Sequence, residues 1–260
     1  FEPQPREYFD PDNAPVRLTR LRDKLELFAR AGVDQVLCIA FNKRFQRLSA
    51  EDFVQQVLIK ALGVKHLKVG DDFRFGCDRA GDYAFLQDAG RRCGFSVEPT
   101  ATIEIDGRRV SSTWLRTALQ EADFSLAQRL LGRPYSIAGR VMHGKKLGRK
   151  LNAPTANIQL KRHRAPLHGV YLVSVRLHNG RQLPGVANIG TRPTVDSGQR
   201  AHLEVHLLNF AGDLYGQHIA VTFHQKIRDE QRFASLSQLQ EAIAADIAQA
   251  NTLWQHYHTL

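Results

Sequence analysis

The chain changes texture at Gly132-Arg133-Pro134, and that change constrains its fold more than any other feature. Before it, helical and strand periodicities alternate. Residues 17–31 (RLTRLRDKLELFARA) place Leu18, Leu21, Leu25 and Phe28 at helical spacing, with Gly32 as a stop. VDQVLCIAF (33–41) is a short apolar run of the kind a strand buried on both faces shows. Ser49 and Asp52 form a capping pair ahead of the apolar face Phe53, Val57, Leu58 and Ala61. KHLKVG (65–70) and FSVEPTATI (95–103) read as strands, and 82–93, 112–122 and 124–131 as helices. This alternation predicts a parallel sheet faced by helices. After the change, YSIAGRVMHG, GVYLVSVRLHNG, LPGVANIG, AHLEVHLLNF and HIAVTFHQKI are strand-like runs parted by Gly, Pro and Asn turns. Such a series predicts a small closed barrel. The periodic segment from about Leu236 to Tyr257 adds a terminal helix. Two domains follow, 1–132 and 133–260. With 260 residues, 43% of them hydrophobic, the chain has apolar mass for a core in each.

The formal charge of +10 points toward anions. Because Arg and Lys are spread along the chain and no aromatic-plus-basic recognition motif accompanies them, phosphorylated small molecules are favoured over nucleic acid. Cys38, Cys77 and Cys93 are odd in number and lack metal-ligand spacing, which argues for a reducing compartment. No apolar run approaches the ~18–20 residues of a membrane span. The cytoplasm is the expected location and no membrane partner is expected. Weak self-association stays open.

LGRKLNAPTANIQL (147–160) has the ingredients of a phosphate site without the spacing of the common phosphate loop. Gly144 and Gly148 are too close together, Arg149 follows, and Pro154 with the strand-like NIQL prevents a helix from starting where that loop needs one. What remains is a glycine-rich turn whose backbone N–H groups at Gly144 and Gly148 can approach phosphate oxygens. Arg149 would neutralise charge there. Thr155 and Asn157 lie two apart, so on an extended segment they share one side. A hydroxyl and an amide carbonyl are hard oxygen ligands suited to Mg²⁺. The same pair could equally close a turn by local hydrogen bonds.

In AHLEVHLL, His202, Glu204 and His206 share one face of a strand, with Leu203, Val205 and Leu207 on the other. A zinc site would need another convergent ligand. A polar outer face of a barrel strand is the simpler reading.

GKKLGRKLNAPTAN, GVANIGTRPT (185–194), LEVHLL (203–208) and KIRDEQRF (226–233) together resemble, in order and spacing, the kinase half of the prokaryotic bifunctional riboflavin kinase/FMN adenylyltransferases. The resemblance implies a six-stranded antiparallel barrel that phosphorylates riboflavin with ATP and Mg²⁺. On it, Gly144, Gly148 and Arg149 would hold ATP, and Thr155 and Asn157 the metal and phosphates. Glu204 would be the general base, and His206, Arg228 and Phe233 would face the flavin. One departure is Asn152 in place of the family's Gly; Asn tolerates a left-handed backbone. The assignment requires Thr155, Asn157 and Glu204 to converge on a common cavity, pointing inward from adjoining strands.

GDDFRFG (70–76) and RRVSSTWLR (108–116) resemble the adenylyltransferase half of the same family, a Rossmann-like α/β nucleotidyltransferase domain. Asp72, Phe73 and Phe75 would shape the flavin side. Ser111, Ser112, Thr113 and Arg116 would open a helix beside the ATP phosphates, which suits anions. The family's opening strand and its Gly-x-Phe-Asp-Gly-x-His-x-Gly-His segment have no counterpart before the first helix. The domain is therefore expected to lack about two strands and a helix, and this chain to adenylylate FMN poorly. Two other readings are a non-catalytic, basic single-stranded RNA-binding protein and a flavin sensor that binds without turnover.

Overall fold

A computed structural model describes residues 1–143, 154–160, 164–194 and 198–257. The chain divides into two compact units, Phe1–Pro15 with Leu25–Arg109, and Val16–Lys24 with Val110–Leu260.

In the first unit, α1 (Pro5–Phe9) precedes α2 (Leu21–Arg30), whose first residues lie in the second unit's segment. The spacing predicts a start at residue 17. The helix begins at Leu21 because the Asp23 carboxylate folds back onto the Arg20 N–H and guanidinium, at 3.3 and 2.9 Å. Asn42 caps α3 (Lys43–Gln46), and Ser49 caps α4 (Ala50–Asp52) by accepting from the Asp52 N–H at 3.0 Å. The chain then continues as a π-helix over Phe53–Ala61. Strand β1 (His66–Val69) pairs in parallel with β2 (Ser96–Pro99). Between them α5 (Tyr83–Cys93) starts at Asp82, which accepts from the Phe85 N–H at 2.9 Å, and stops at the left-handed Gly94. A short antiparallel pair, β3 (Glu104–Ile105) and β4 (Arg108–Arg109), completes the unit. Val54, Leu58, Phe75, Leu86, Ala89 and Phe95 form its core.

One strand prediction fails. Residues 33–41 form no strand, and Val33, Val36 and Leu37 are exposed. A ladder needs a partner, and among the described residues the pairing this run receives is the Glu2–Ala40 bridge with the bond from the Glu2 N–H to the Ile39 carbonyl at 3.0 Å. The strand read over 95–103 is confined to β2, ending at Pro99, which has no N–H to donate.

The second unit holds α6 (Ser112–Gln120) and α7 (Phe124–Leu131), then six strands. These are β5 (Ser136–Met142), β6 (Thr155–Gln159), β7 (Gly169–Arg176), β8 (Gln182–Thr194), β9 (Gly198–Leu207) and β10 (His218–Arg228). They close into an antiparallel barrel in the order β10-β5-β6-β9-β8-β7, and α8 (Leu236–Tyr257) follows. Alternate side chains fill the interior. One transverse row runs Tyr171–Ala187–Val205–Ala156, and all four residues are buried. The small alanines leave room for the large Tyr171, whose hydroxyl donates to the His168 carbonyl at 2.7 Å.

On the outer face, Val170, Leu172 and Val186 pack against Ala250, Ile247, Leu253 and Trp254 of α8. This explains why β7 is buried at every position but its last. Arg228 fixes the helix further. Its guanidinium donates twice to the buried Asp246 of α8, at 2.8 and 2.7 Å.

Candidate active site

Antiparallel register sets the geometry of the barrel site. Asn157 of β6 stands directly opposite Glu204 of β9, and Glu204 stands opposite Asn188 of β8. Thr155 pairs with His206, which pairs with Val186. Directly opposed side chains lie about 4.5–5.5 Å apart at Cβ. Thr155, Asn157 and Glu204 are therefore brought together on adjoining strands, two residues of one strand beside one of the next.

They do not point inward. Ala156, Ile158, Leu203 and Val205 alternate with them and fill the barrel interior, all of them buried. Thr155, Asn157, Asn188, Glu204 and His206 are half-buried on the outer face. The inward orientation that the kinase assignment required is thus corrected, and the reading of the His202, Glu204 and His206 face as a polar outer face of a barrel strand holds. A six-stranded barrel is too narrow to hold both its apolar packing and a polar cavity.

His206 ties the two strands at this point. Its Nδ1 lies 3.0 Å from the Pro154 carbonyl oxygen, which only accepts, so Nδ1 carries the proton. The contact anchors the residue that immediately precedes Thr155. Asn188 is the residue that the motif reading missed. Its Oδ1 is shut off from solvent and, among the described residues, has no hydrogen-bond partner. In the sequence it lies within the GVANIGTRPT stretch, where it was given no role of its own.

Gly144, Gly148, Arg149 and the Asn152 departure lie outside the described residues. Arg228 and Phe233 are adjacent to one another, with the guanidinium 5.6 Å from the ring centroid. Arg228 is nevertheless engaged by Asp246 and by the Asp229 carbonyl, to which it donates at 2.9 Å. Its evident work is to hold α8 against the barrel.

For the Mg²⁺ implied by the resemblance, the donor set fits. Thr155 and Asn157 offer two neutral hard oxygens on one face, a sparse set that leaves coordination positions for waters and phosphates, with the Glu204 carboxylate beside them. Among the described residues no group of three or more His, Cys, Asp or Glu could hold a metal by itself.

The first unit contains a separate cavity of about 490 Å³, lined by Phe1, Phe41, Phe45, Phe53, Phe73 and Phe75 and bordered by Arg6, Arg74 and Arg79. Phe73 and Phe75 stack at 5.6 Å with planes 16° apart. Phe75 also belongs to the core. Asp72 faces Arg109 at 3.6 Å. The volume and the aromatic wall suit a flat, ring-shaped ligand. The sequence motif pointed to Phe73 and Phe75, whereas Phe1, Phe41 and Phe45 come from segments that carried no motif.

Ser111, Ser112, Thr113 and Arg116 lie in the second unit. Ser111 caps α6 by accepting from the Trp114 N–H at 3.2 Å, so its hydroxyl has a local structural role. Arg116 donates to the Val16 carbonyl at 2.8 Å.

Two family models match the chain, FAD synthetase over residues 1–114 and riboflavin kinase over residues 131–254. A bifunctional riboflavin kinase/FMN adenylyltransferase of Pseudomonas fluorescens is 61% identical over 253 residues, covering 97% of this chain and 81% of that protein. The protein of the same description from Escherichia coli K12 is 54% identical, covering 95% and 78%. Among solved structures, one described as a macrolide-efflux protein from Streptococcus pneumoniae superposes with a TM-score of 0.73 at 29% identity. It covers 92% of this chain and 79% of that one. Among the described residues, no helix is long and apolar enough to cross a membrane.

Proposed function

The chain belongs to the family of bifunctional riboflavin kinases/FMN adenylyltransferases, and we infer that it phosphorylates riboflavin and that the family's adenylyl step, expected to be weak in this chain, follows. Riboflavin and ATP give FMN and ADP; FMN and ATP then give FAD and pyrophosphate. The kinase step belongs to 133–260 and the adenylyl transfer to 1–132, a division supported by the spans of the two family models. The cytoplasm, where both nucleotide and flavin are available, is the proposed location. Nothing in these findings favours the RNA-binding alternative.

The observation that carries the kinase reading is the register of Asn157 against Glu204 on one face. The primary hydroxyl of riboflavin is a weak nucleophile. Its oxygen attacks the γ-phosphorus, the bond to the ADP oxygen breaks, and the hydroxyl proton passes to Glu204. Thr155 and Asn157 would hold Mg²⁺ together with ATP oxygens, and the ion supplies charge neutralisation there. Gly144, Gly148 and Arg149 are assigned to the phosphates. His206 steadies the Pro154–Thr155 segment and borders the flavin together with Phe233. Arg228 acts at one remove, by holding α8 and stacking on Phe233.

For the adenylyl step, Phe73 and Phe75 are assigned to the flavin ring, with Asp72 at the margin. Ser111, Ser112, Thr113 and Arg116 are assigned to ATP. The aromatic cavity supports the first group, and the α6 N-terminus is consistent with the second.

The test is a riboflavin titration by flavin fluorescence, then addition of ATP and Mg²⁺ with identification of products. FMN and ADP in equal amounts are expected. Flavin binding without ADP release would leave a sensor. Salt-dependent single-strand binding without flavin binding would leave an RNA-binding protein.

A further inference from the structure

We propose that Asn188 sets the register of the substrate's polyol chain, its side-chain carbonyl accepting a hydrogen bond from a secondary hydroxyl while Glu204 faces the reacting primary one. The proposal rests on the kinase reading and adds a specificity-determining residue to it.

A buried carbonyl without a donor is costly, and native proteins rarely keep one without a use. Asn188 Oδ1 is such an atom. Its cross-strand neighbours are Glu204 on β9 and Val170 on β7. At the next outward position of β8, the Glu230 carboxylate lies over Gly190, in the space a side chain would take. A carboxylate only accepts and a valine offers nothing, so these neighbours cannot complete the carbonyl. Among the described residues nothing donates to it, and a bound substrate can.

A metal ion shared with Thr155 and Asn157 does not meet the need. Asn157 and Asn188 flank Glu204 on opposite sides, two strand spacings or roughly 9.6 Å apart at the backbone. A Mg²⁺ ion held by Thr155 and Asn157 with bonds of about 2.1 Å would have to lie across the Glu204 side chain to reach Asn188 as well. A chain of adjacent hydroxyls does meet it, because it offers donors at short intervals to two acceptors on neighbouring strands. The hydroxyl held by Asn188 then decides which oxygen lies before Glu204.

The experiment is a cycle of two proteins and several substrates. Wild type and Asn188→Leu, similar in size but without an acceptor, are each assayed with riboflavin and with analogues lacking one secondary side-chain hydroxyl. Wild type should lose roughly tenfold to a hundredfold in kcat/KM on one particular analogue. Asn188→Leu should use that analogue and riboflavin equally well, with KM for ATP unchanged. Where Leu disturbs the thermal melt, Asn188→Ala repeats the cycle. Independent, multiplicative losses would overturn the proposal. So would a defect relieved by raising Mg²⁺, or wild-type discrimination in both variants. Failure of wild type itself to form FMN would instead remove the kinase reading.

Discussion

Glu204 owes its place to neighbours on two other strands. The Asn157 and Asn188 backbones fix it from either side. Glu204→Gln keeps the shape and removes the base, so kcat for FMN formation should fall by about a hundredfold or more while riboflavin and ATP still bind. Steady-state assays paired with fluorescence titration check this, and near-normal turnover would take the role from Glu204. Asp246 presents a different kind of dependence. It is buried and receives two hydrogen bonds from Arg228. Asp246→Ala leaves a guanidinium partly buried without its partner and should cost about 3 kcal/mol in urea unfolding. A loss below about 1 kcal/mol would mean that the pair contributes little. The motif KIRDEQRF made Arg228 visible in the sequence. Its partner, eighteen residues on in a helix, was not, because nothing local distinguishes Asp246 from a solvated acid.

At the scale of elements, periodicity served where each element meets a matching surface. The helices α5, α6, α7 and α8 and the barrel strands formed as their patterns predicted. Residues 33–41 did not, since apolar content makes a strand only beside a partner edge. The barrel's closure rests on close backbone approaches that side-chain patterns do not reveal. Gly169 opens β7 at a φ of +124°, and a Cβ there would lie 2.6 Å from the Arg228 carbonyl oxygen of β10. Gly169→Ala therefore meets both a strained backbone and a main-chain clash. It should destabilise the barrel by about 2 kcal/mol or more, read as a shift in urea midpoint. An unchanged midpoint would show that β7 and β10 can separate freely at this end.

For the whole molecule, the barrel interior makes a prediction about alkaline pH. Desolvation pushes the Tyr171 hydroxyl up to about 12 from its ordinary 10, with Asp229 adding in the same direction and the His168 bond opposing. The neutral phenol is thus favoured by the fold. Its stabilisation is whole below about pH 10 and is lost as pH rises through about 12. Urea midpoints measured from pH 9 to 12 should fall with a slope that Tyr171→Phe flattens; an equal slope in both proteins would place the titration elsewhere. By itself, the sequence made legible the helical and strand periods of its two halves and the placement of Thr155 and Asn157 on one side of an extended segment, because each is a short-range pattern of period or spacing, whereas the six-strand count and the pair Phe73/Phe75 were implied by the family resemblance. Only the tertiary structure decided that Thr155 and Asn157 share the outer face with Glu204, that Asn188 joins them, that Arg228 grips α8 and that phenylalanines from distant segments wall one cavity. Those facts depend on register and closure, and register is fixed by partners far away in the chain.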